Sequence, residues 1–273
     1  DPPGKGYAGV SGTVWDISGR NKNRILVSDD IRRCPVQEIR NIGENKSKVL
    51  EENMLREINL AEVSDGKLYC SNDMAKLGCD DCRGCSACCR QMGTSILLDP
   101  WDIYFLCRGL DTSFEKLLTY AVELQMADYV ILPNLKMTEE EEVCAFLDQE
   151  GRCSIHDFRP GFCRMFPLGR VYENENFHYF LQVHECRKEL KTKVKISKWL
   201  GIPNTRRYEE FVRQWHGFLK KAGEILVSFA DQETRKNISM YILKTFYLAP
   251  YDPERDFYEQ FGERMKQAEK YFF

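Results

Sequence analysis

The chain has 273 residues, 43% of them hydrophobic and 30% charged, with a formal net charge of −3 at pH 7. That length can bury a real core in one large domain or two modest ones. The slightly acidic balance argues against nucleic acid or an anionic membrane surface as a partner, and no apolar run is long enough to span a bilayer.

The opening DPPGKGYAGVSG lacks the apolar core of a signal peptide. The expected compartment is therefore cytoplasmic, and its reducing conditions bear on the twelve cysteines. Clustered cysteines in such a compartment point to metal binding or redox chemistry rather than to a disulfide scaffold.

Residues 1–53 are rich in Gly, Asn and charge, without sustained periodicity, and are expected to form an N-terminal appendage. Within them WDIS and RILVSDDI suggest short strands, KVLEENMLREI a helical turn, and Cys34 an isolated thiol. Residues 54–200 hold nearly all the other cysteines and form the expected metal-binding domain. Residues 59–77 read as loop with a short strand at Lys67–Tyr69, and Cys70 as a structural thiol. The densest stretch follows: Cys79, Cys82, Cys85, Cys88 and Cys89 within eleven residues. An apolar strand is expected at Ser95–Leu98.

Asp99-Pro100 is a helix start, with Asp99 as N-cap and Pro100 in the first position. That helix should stop near Gly109 and bury Cys107 as a small hydrophobe. Thr112 and Glu115 suggest a capping box for a second helix carrying Phe114, Leu117, Leu118 and Ala121. Asp128–Met137 reads as an extended edge, confined to a rim by Pro133, and Glu139–Glu142 as a solvated acidic turn. The segments 144–148 and 152–156 flank Gln149-Glu150-Gly151 in a hairpin pattern that would bring Cys144 and Cys153 together.

Arg159 to Pro167 predicts one helical turn around Cys163, opened by Pro160 and closed by Pro167. Arg159 and Arg164 are the cations placed to favour thiolate there and to contact an anionic cofactor or substrate. A second hairpin is expected from Leu168–Tyr172 and Phe177–Val183, leading to His184 and Cys186, and Lys188–Lys198 reads as a solvated basic connection. From 201 onward, Tyr208, Phe211, Trp215, Phe218, Leu219, Ala222 and Leu226 recur at helical spacing. Shorter helices at 238–248 and around Phe257–Ala268 complete a C-terminal helical cap. The fold class is α+β, a cysteine-rich metal-binding core with short hairpins and helices followed by that cap.

The run Cys82-x2-Cys85-x2-Cys88-Cys89, with Cys144-x-Phe-Leu and Gly151-x-Cys153-x-Ile-His-x2-Arg159-Pro160-x2-Cys163-Arg164-x-Phe-Pro, resembles the CxxCxxCC cysteine-cluster proteins, the YkgJ-like zinc- or iron-chelating family. The resemblance spans about residues 80–187. It implies metal ligation by Cys82, Cys85, Cys88, Cys89, Cys144, Cys153 and Cys163, with Cys186 an eighth thiol, whereas Cys79 is an addition to the pattern. One branch, the flagellin lysine N-methylases, has similar cysteine motifs and implies an iron–sulfur centre used with S-adenosylmethionine on protein lysine. The CxxxCxxC spacing of ordinary radical-SAM enzymes is absent.

Eight thiols invite a partition into two four-thiolate centres. Adjacent side chains on an extended or turning backbone point apart, which assigns Cys82, Cys85 and Cys88 plus a remote thiol to one centre and Cys89 to another with three of Cys144, Cys153, Cys163 and Cys186. Thiols every three residues without a gap are closer to ferredoxin spacing than to paired zinc knuckles. The favoured cofactor is an iron–sulfur cluster, one or two of the 4Fe-4S type, with zinc as the alternative. Three functions compete: redox or electron transfer with a redox partner, cluster-dependent methyl transfer to a protein substrate, and a structural zinc module. No nucleophile–base set, carboxylate pair or phosphate loop assigns catalytic residues.

Overall fold

The structure is a computed structural model that describes residues 13–14, 37–38, 60–78, 85–127, 129–173, 175–186, 188, 192–228 and 231–272. The expectations for Trp15–Ser18, RILVSDDI, Cys34, KVLEENMLREI, the domain start at Met54, Cys79 and Cys82 fall outside those residues. The elements begin β1 (Thr13–Val14), β2 (Gln37–Glu38), α1 (Leu60–Val63), β3 (Ser64–Tyr69), β4 (Met74–Gly78), α2 (Pro100–Leu110), α3 (Phe114–Leu117), β5 (Val122–Ala127) and β6 (Val130–Leu135). They continue α4 (Gly161–Met165), β7 (Leu168–Glu173), β8 (Asn176–Gln182), β9 (Thr192–Lys195), α5 (Ile196–Leu200), α6 (Thr205–Ser228), α7 (Gln232–Leu243) and α8 (Phe257–Phe272). Helices and small, mainly antiparallel sheets make the class α+β.

The chain divides into two compact units. One takes in Gly12–Asp81 and Met165–Ile202. Its main sheet has the order β1-β7-β8-β3-β2, with β1 parallel to β7 and the other pairs antiparallel. The expected hairpin is present as β7–β8, running from Leu168 opposite Leu181 to Glu173 opposite Asn176. Leu60, Leu68, Val171 and Phe180 form a core on this sheet. Gly169 faces Phe180, and a Cβ there would lie 2.3 Å from the ring.

Residues 59–77 hold more regular structure than a loop with one strand. Asp73 accepts the Cys70 N–H at 2.7 Å in the turn after β3, and β4 then pairs with β9. The basic stretch 188–198 likewise departs from a solvated connection, because Thr192–Lys195 is that partner strand and Ile196 opens α5. Cys70, expected to be structural, is disulfide-bonded.

The other unit takes in Cys82–Arg164 and Pro203–Phe273. Helix α2 starts as expected, with Asp99 and Asp102 forming a reciprocal capping box and Asp111 closing the helix in left-handed geometry at φ 48°. Ser113, rather than Thr112, caps α3, accepting the Lys116 N–H at 3.3 Å, and that helix lasts a single turn. Val122–Ala127 then leaves as β5 and returns as β6.

Strand β6 is not a rim. Leu98 donates to the Pro133 carbonyl at 2.8 Å and Leu135 to the Ile96 carbonyl at 3.0 Å, so the 96–98 segment bridges its far side. A strand residue's N and C=O point the same way, so the N–H that Pro133 lacks faces this bridge and leaves the β5 ladder intact. The 96–98 segment is thus extended but holds only an isolated bridge.

Helices α6, α7 and α8 carry the expected aromatic stripe into one core. Phe211 meets Phe261 at 4.6 Å between ring centroids, and Trp215 meets Phe246 at 4.9 Å. Helix α7 runs on into a π-helical turn at Lys244–Leu248. Arg264 closes that turn by donating to the carbonyls of Thr245, Ala249 and Pro250 while lying over the Tyr251 ring.

Candidate metal centre

Four segments of this unit bring thiols together, and little of this region is regular structure. Ala87–Cys89 is a 3-10 turn closed by the Cys89 N–H on the Ser86 carbonyl at 2.9 Å. The chain then runs antiparallel to 142–144, with Gln91 N–H on Glu142 O at 2.7 Å and Cys144 N–H on Cys89 O at 2.8 Å. These two bonds lock Cys144 beside the vicinal pair. The acidic run makes the exposed turn between Thr138 and Val143, as expected of a solvated segment.

Cys144 and Cys153 lie on a tight loop rather than on a two-stranded hairpin. Its pairing is reduced to a Leu147–Cys153 bridge and the Ser154 N–H on Phe146 O. Asp148 Oδ1 takes the N–H groups of both Glu150 and Arg152, at 3.0 and 2.8 Å, and Gly151 turns the chain at φ 73°. Side-chain and loop hydrogen bonds thus replace a ladder.

Cys163 sits on α4, the single helical turn expected after Pro160. Asp102, a buried carboxylate of α2 with 2% exposure, accepts the Gly161 N–H at 2.7 Å. Gly161 admits close approach, since a Cβ there would lie 2.0 Å from the Tyr208 hydroxyl oxygen. Neither Asp102 nor Tyr208 stands out in the sequence as part of a thiol site. The available signal was an acid three residues after a helix N-cap, read only as part of a cap.

Cys144 is buried, and Cys88, Cys89, Cys153 and Cys163 are half-buried free thiols. Their titration shows their proximity. The Cys88 thiol is pushed up first by its hydrogen bond with the Cys89 thiol and then by burial. Burial pushes Cys144 up to about 11, with Cys153 and Cys88 adding to the rise. Cys153 is raised by burial and by Cys88. Burial raises Cys163 well above the ordinary thiol range, followed by the nearness of Cys144, Cys88, Cys153 and Asp102. Cys88, Cys144, Cys153 and Cys163 therefore lie near enough that their thiolates would repel one another. Among the described residues, no three His, Cys, Asp or Glu side chains are grouped to hold a metal ion, so the four are neighbours rather than a closed coordination shell.

The two arginines divide their work. Arg159 eases the ionisation of both Cys88 and Cys153. One of its Nη atoms lies 3.1 Å from His156 Nε2, and its buried Nε has no hydrogen-bond partner among the described residues. Arg164 instead donates to the backbone carbonyls of Arg159 and Asp157 and lies over the Trp101 ring. Arg159 faces the thiols, whereas Arg164 staples the turn that carries them.

The remaining thiols are placed differently. Cys85 is half-buried in the same unit. Cys186 is half-buried in the other unit, after β8. Cys107 on α2 is half-buried rather than buried, and burial followed by Glu115 raises it to about 11. The vicinal thiols follow one another in the 3-10 turn at Ala87–Cys89, near enough for Cys89 to raise the Cys88 thiol. Cys88, rather than Cys89, shares the electrostatic neighbourhood of Cys144, Cys153 and Cys163.

Soft thiols raised by burial and mutual repulsion, beside a guanidinium with an orphaned buried N–H, fit a polythiolate centre of net negative charge. Residues 81–187 match a family model described as "Putative zinc- or iron-chelating domain". No curated protein and no solved structure compared with the chain gives a match. Residues 81–187 are thus similar to the CxxCxxCC domain, and their ordered thiols are consistent with its description as zinc- or iron-chelating.

Proposed function

We propose that the chain is an iron–sulfur protein whose principal centre is held by Cys88, Cys144, Cys153 and Cys163 and serves electron transfer. The observation that carries this reading is the mutual electrostatic coupling of those four thiols, drawn from three separate stretches of chain. A cluster bound there would supply one-electron chemistry. The chain's own part is to bring four partly desolvated thiols near one another and to set Arg159 against the negative charge of the loaded centre. Binding must displace the protons that burial keeps on the thiols. The C-x2-C-x2-C spacing of the loop supports iron–sulfur over zinc. A second centre using Cys82, Cys85 and Cys89 belongs to the same reading.

Zinc is the second reading, favoured by one observation: three of the four coupled thiols come from outside the loop, as in a structural site that pins several segments. Methyl transfer to protein lysine with S-adenosylmethionine rests on the resemblance alone. Anaerobic purification followed by iron, zinc and acid-labile sulfide analysis decides among these. Iron with stoichiometric sulfide and a visible band that bleaches on reduction is the expected result. Colourless protein with stoichiometric zinc would replace the redox reading with the structural one.

A further inference from the structure

We infer that Asp102 is the positioning residue of the centre, holding the Cys163 turn in place from helix α2. This inference deepens the metal-centre reading and rests on it for its function, though not for its geometry. Asp102 is 2% exposed, and carboxylates are rarely so deeply buried without fixed partners. Its two oxygens face different tasks. Oδ2 accepts the Asp99 N–H at 3.1 Å, which is the reciprocal half of the α2 capping box. Oδ1 reaches 59 residues along the chain to the Gly161 N–H at 2.7 Å.

That second bond ties the start of the turn bearing Cys163 to a full-length helix. The turn is too short to place itself, since a helix of five residues has no cooperative stability of its own. Two contacts reinforce the clamp from the same side. The Tyr208 hydroxyl fills the space that a side chain at 161 would need, and Arg164 lies over Trp101, the neighbour of Asp102 on α2.

Asp102→Glu is the decisive variant. A Glu at this position still serves a capping box and keeps its charge, but its longer arm moves the oxygen off Gly161. Asp102→Asn is the rescue, because its amide oxygen still accepts the Gly161 N–H. Asp99→Ala is the control: it removes the other half of the cap and leaves the Gly161 bond alone.

Iodoacetamide labelling of the full chain, mapped by peptide mass, reads the rate at Cys163 against Cys144 and Cys153. Cobalt(II) titration reads thiolate-to-metal charge transfer. For Asp102→Glu we expect labelling of Cys163 to rise about tenfold and cobalt affinity to fall about tenfold, the lower end of what lost supporting contacts cost a metal site. Asp102→Asn should stay within about twofold of wild type, and Asp99→Ala should lower the melting temperature without moving either readout. Equal changes in Asp102→Glu and Asp99→Ala, or unchanged Cys163 labelling in Asp102→Glu, overturn the inference. A wild type that takes no metal, with Cys163 still released by Asp102→Glu, removes the metal reading and leaves the positioning role standing.

Discussion

The thiol-bearing loops and the aromatic helical layer belong to the same unit yet hold themselves together by different physics. In α6, α7 and α8 the rings of Phe211, Trp215, Phe246 and Phe261 interlock at centroid separations of 4.6 to 6.2 Å. Area removed from water and ring packing hold that layer without help. The loops at 85–91 and 142–164 bury few large side chains and depend on single hydrogen bonds, such as Cys144 to Cys89 and Gly161 to Asp102. Burial holds the neighbouring thiols in their neutral form, so they supply no ion pairs to the loops. The lesson is that the layer is a scaffold and the loops are its load.

That contrast can be broken most forcefully in the layer. Phe261→Ala removes a ring with 1% exposure and should cost about 3–5 kcal/mol in denaturant unfolding. If it costs less than about 1 kcal/mol, the layer is not the scaffold. Next in size, Cys163→Ser should weaken metal binding by more than about tenfold, or about 1.4 kcal/mol, whereas Cys107→Ser should leave it unchanged. Equal losses would mean that the loops do not single out their thiols.

Chelation of the metal sharpens the comparison from the other side. Amide exchange should quicken at 85–91 and 142–164 and stay slow in α6 and α8. Asp99→Ala should cost about 1 kcal/mol through the lost cap of α2, seen as a lower thermal midpoint. Smallest of all, Arg207→Ala breaks an exposed pair with Asp256 at 2.7 Å and should cost no more than about 1 kcal/mol.

Legibility in the sequence followed the same divide. The helical layer could be read because its apolar positions repeat at 3.6, and Asp99-Pro100 announced α2. The β7–β8 hairpin could be read because its runs flank a polar turn. The pairing of β4 with β9 could not, since MAKLG and TKVK lie far apart in the chain and neither alternates cleanly. The Cys144–Cys153 loop had a hairpin's residues, but side-chain hydrogen bonds from Asp148 took over from a ladder. The coupling of Cys88 to the other thiols runs through a 3-10 turn of three residues, and the Asp102–Gly161 bond spans 59 residues. Neither leaves a periodic trace.

Arg264 has a consequence for anyone shortening this chain. One guanidinium on α8 satisfies three carbonyl oxygens of the turn that ends the preceding helix and covers Tyr251 at 3.6 Å. Trimming the C-terminal helix would therefore strip the closure from the segment before it and leave three acceptors facing each other without a donor. The last helix is the keystone of its layer rather than a removable tail. Digestion from that end should accordingly go in one step, with no stable product lacking α8.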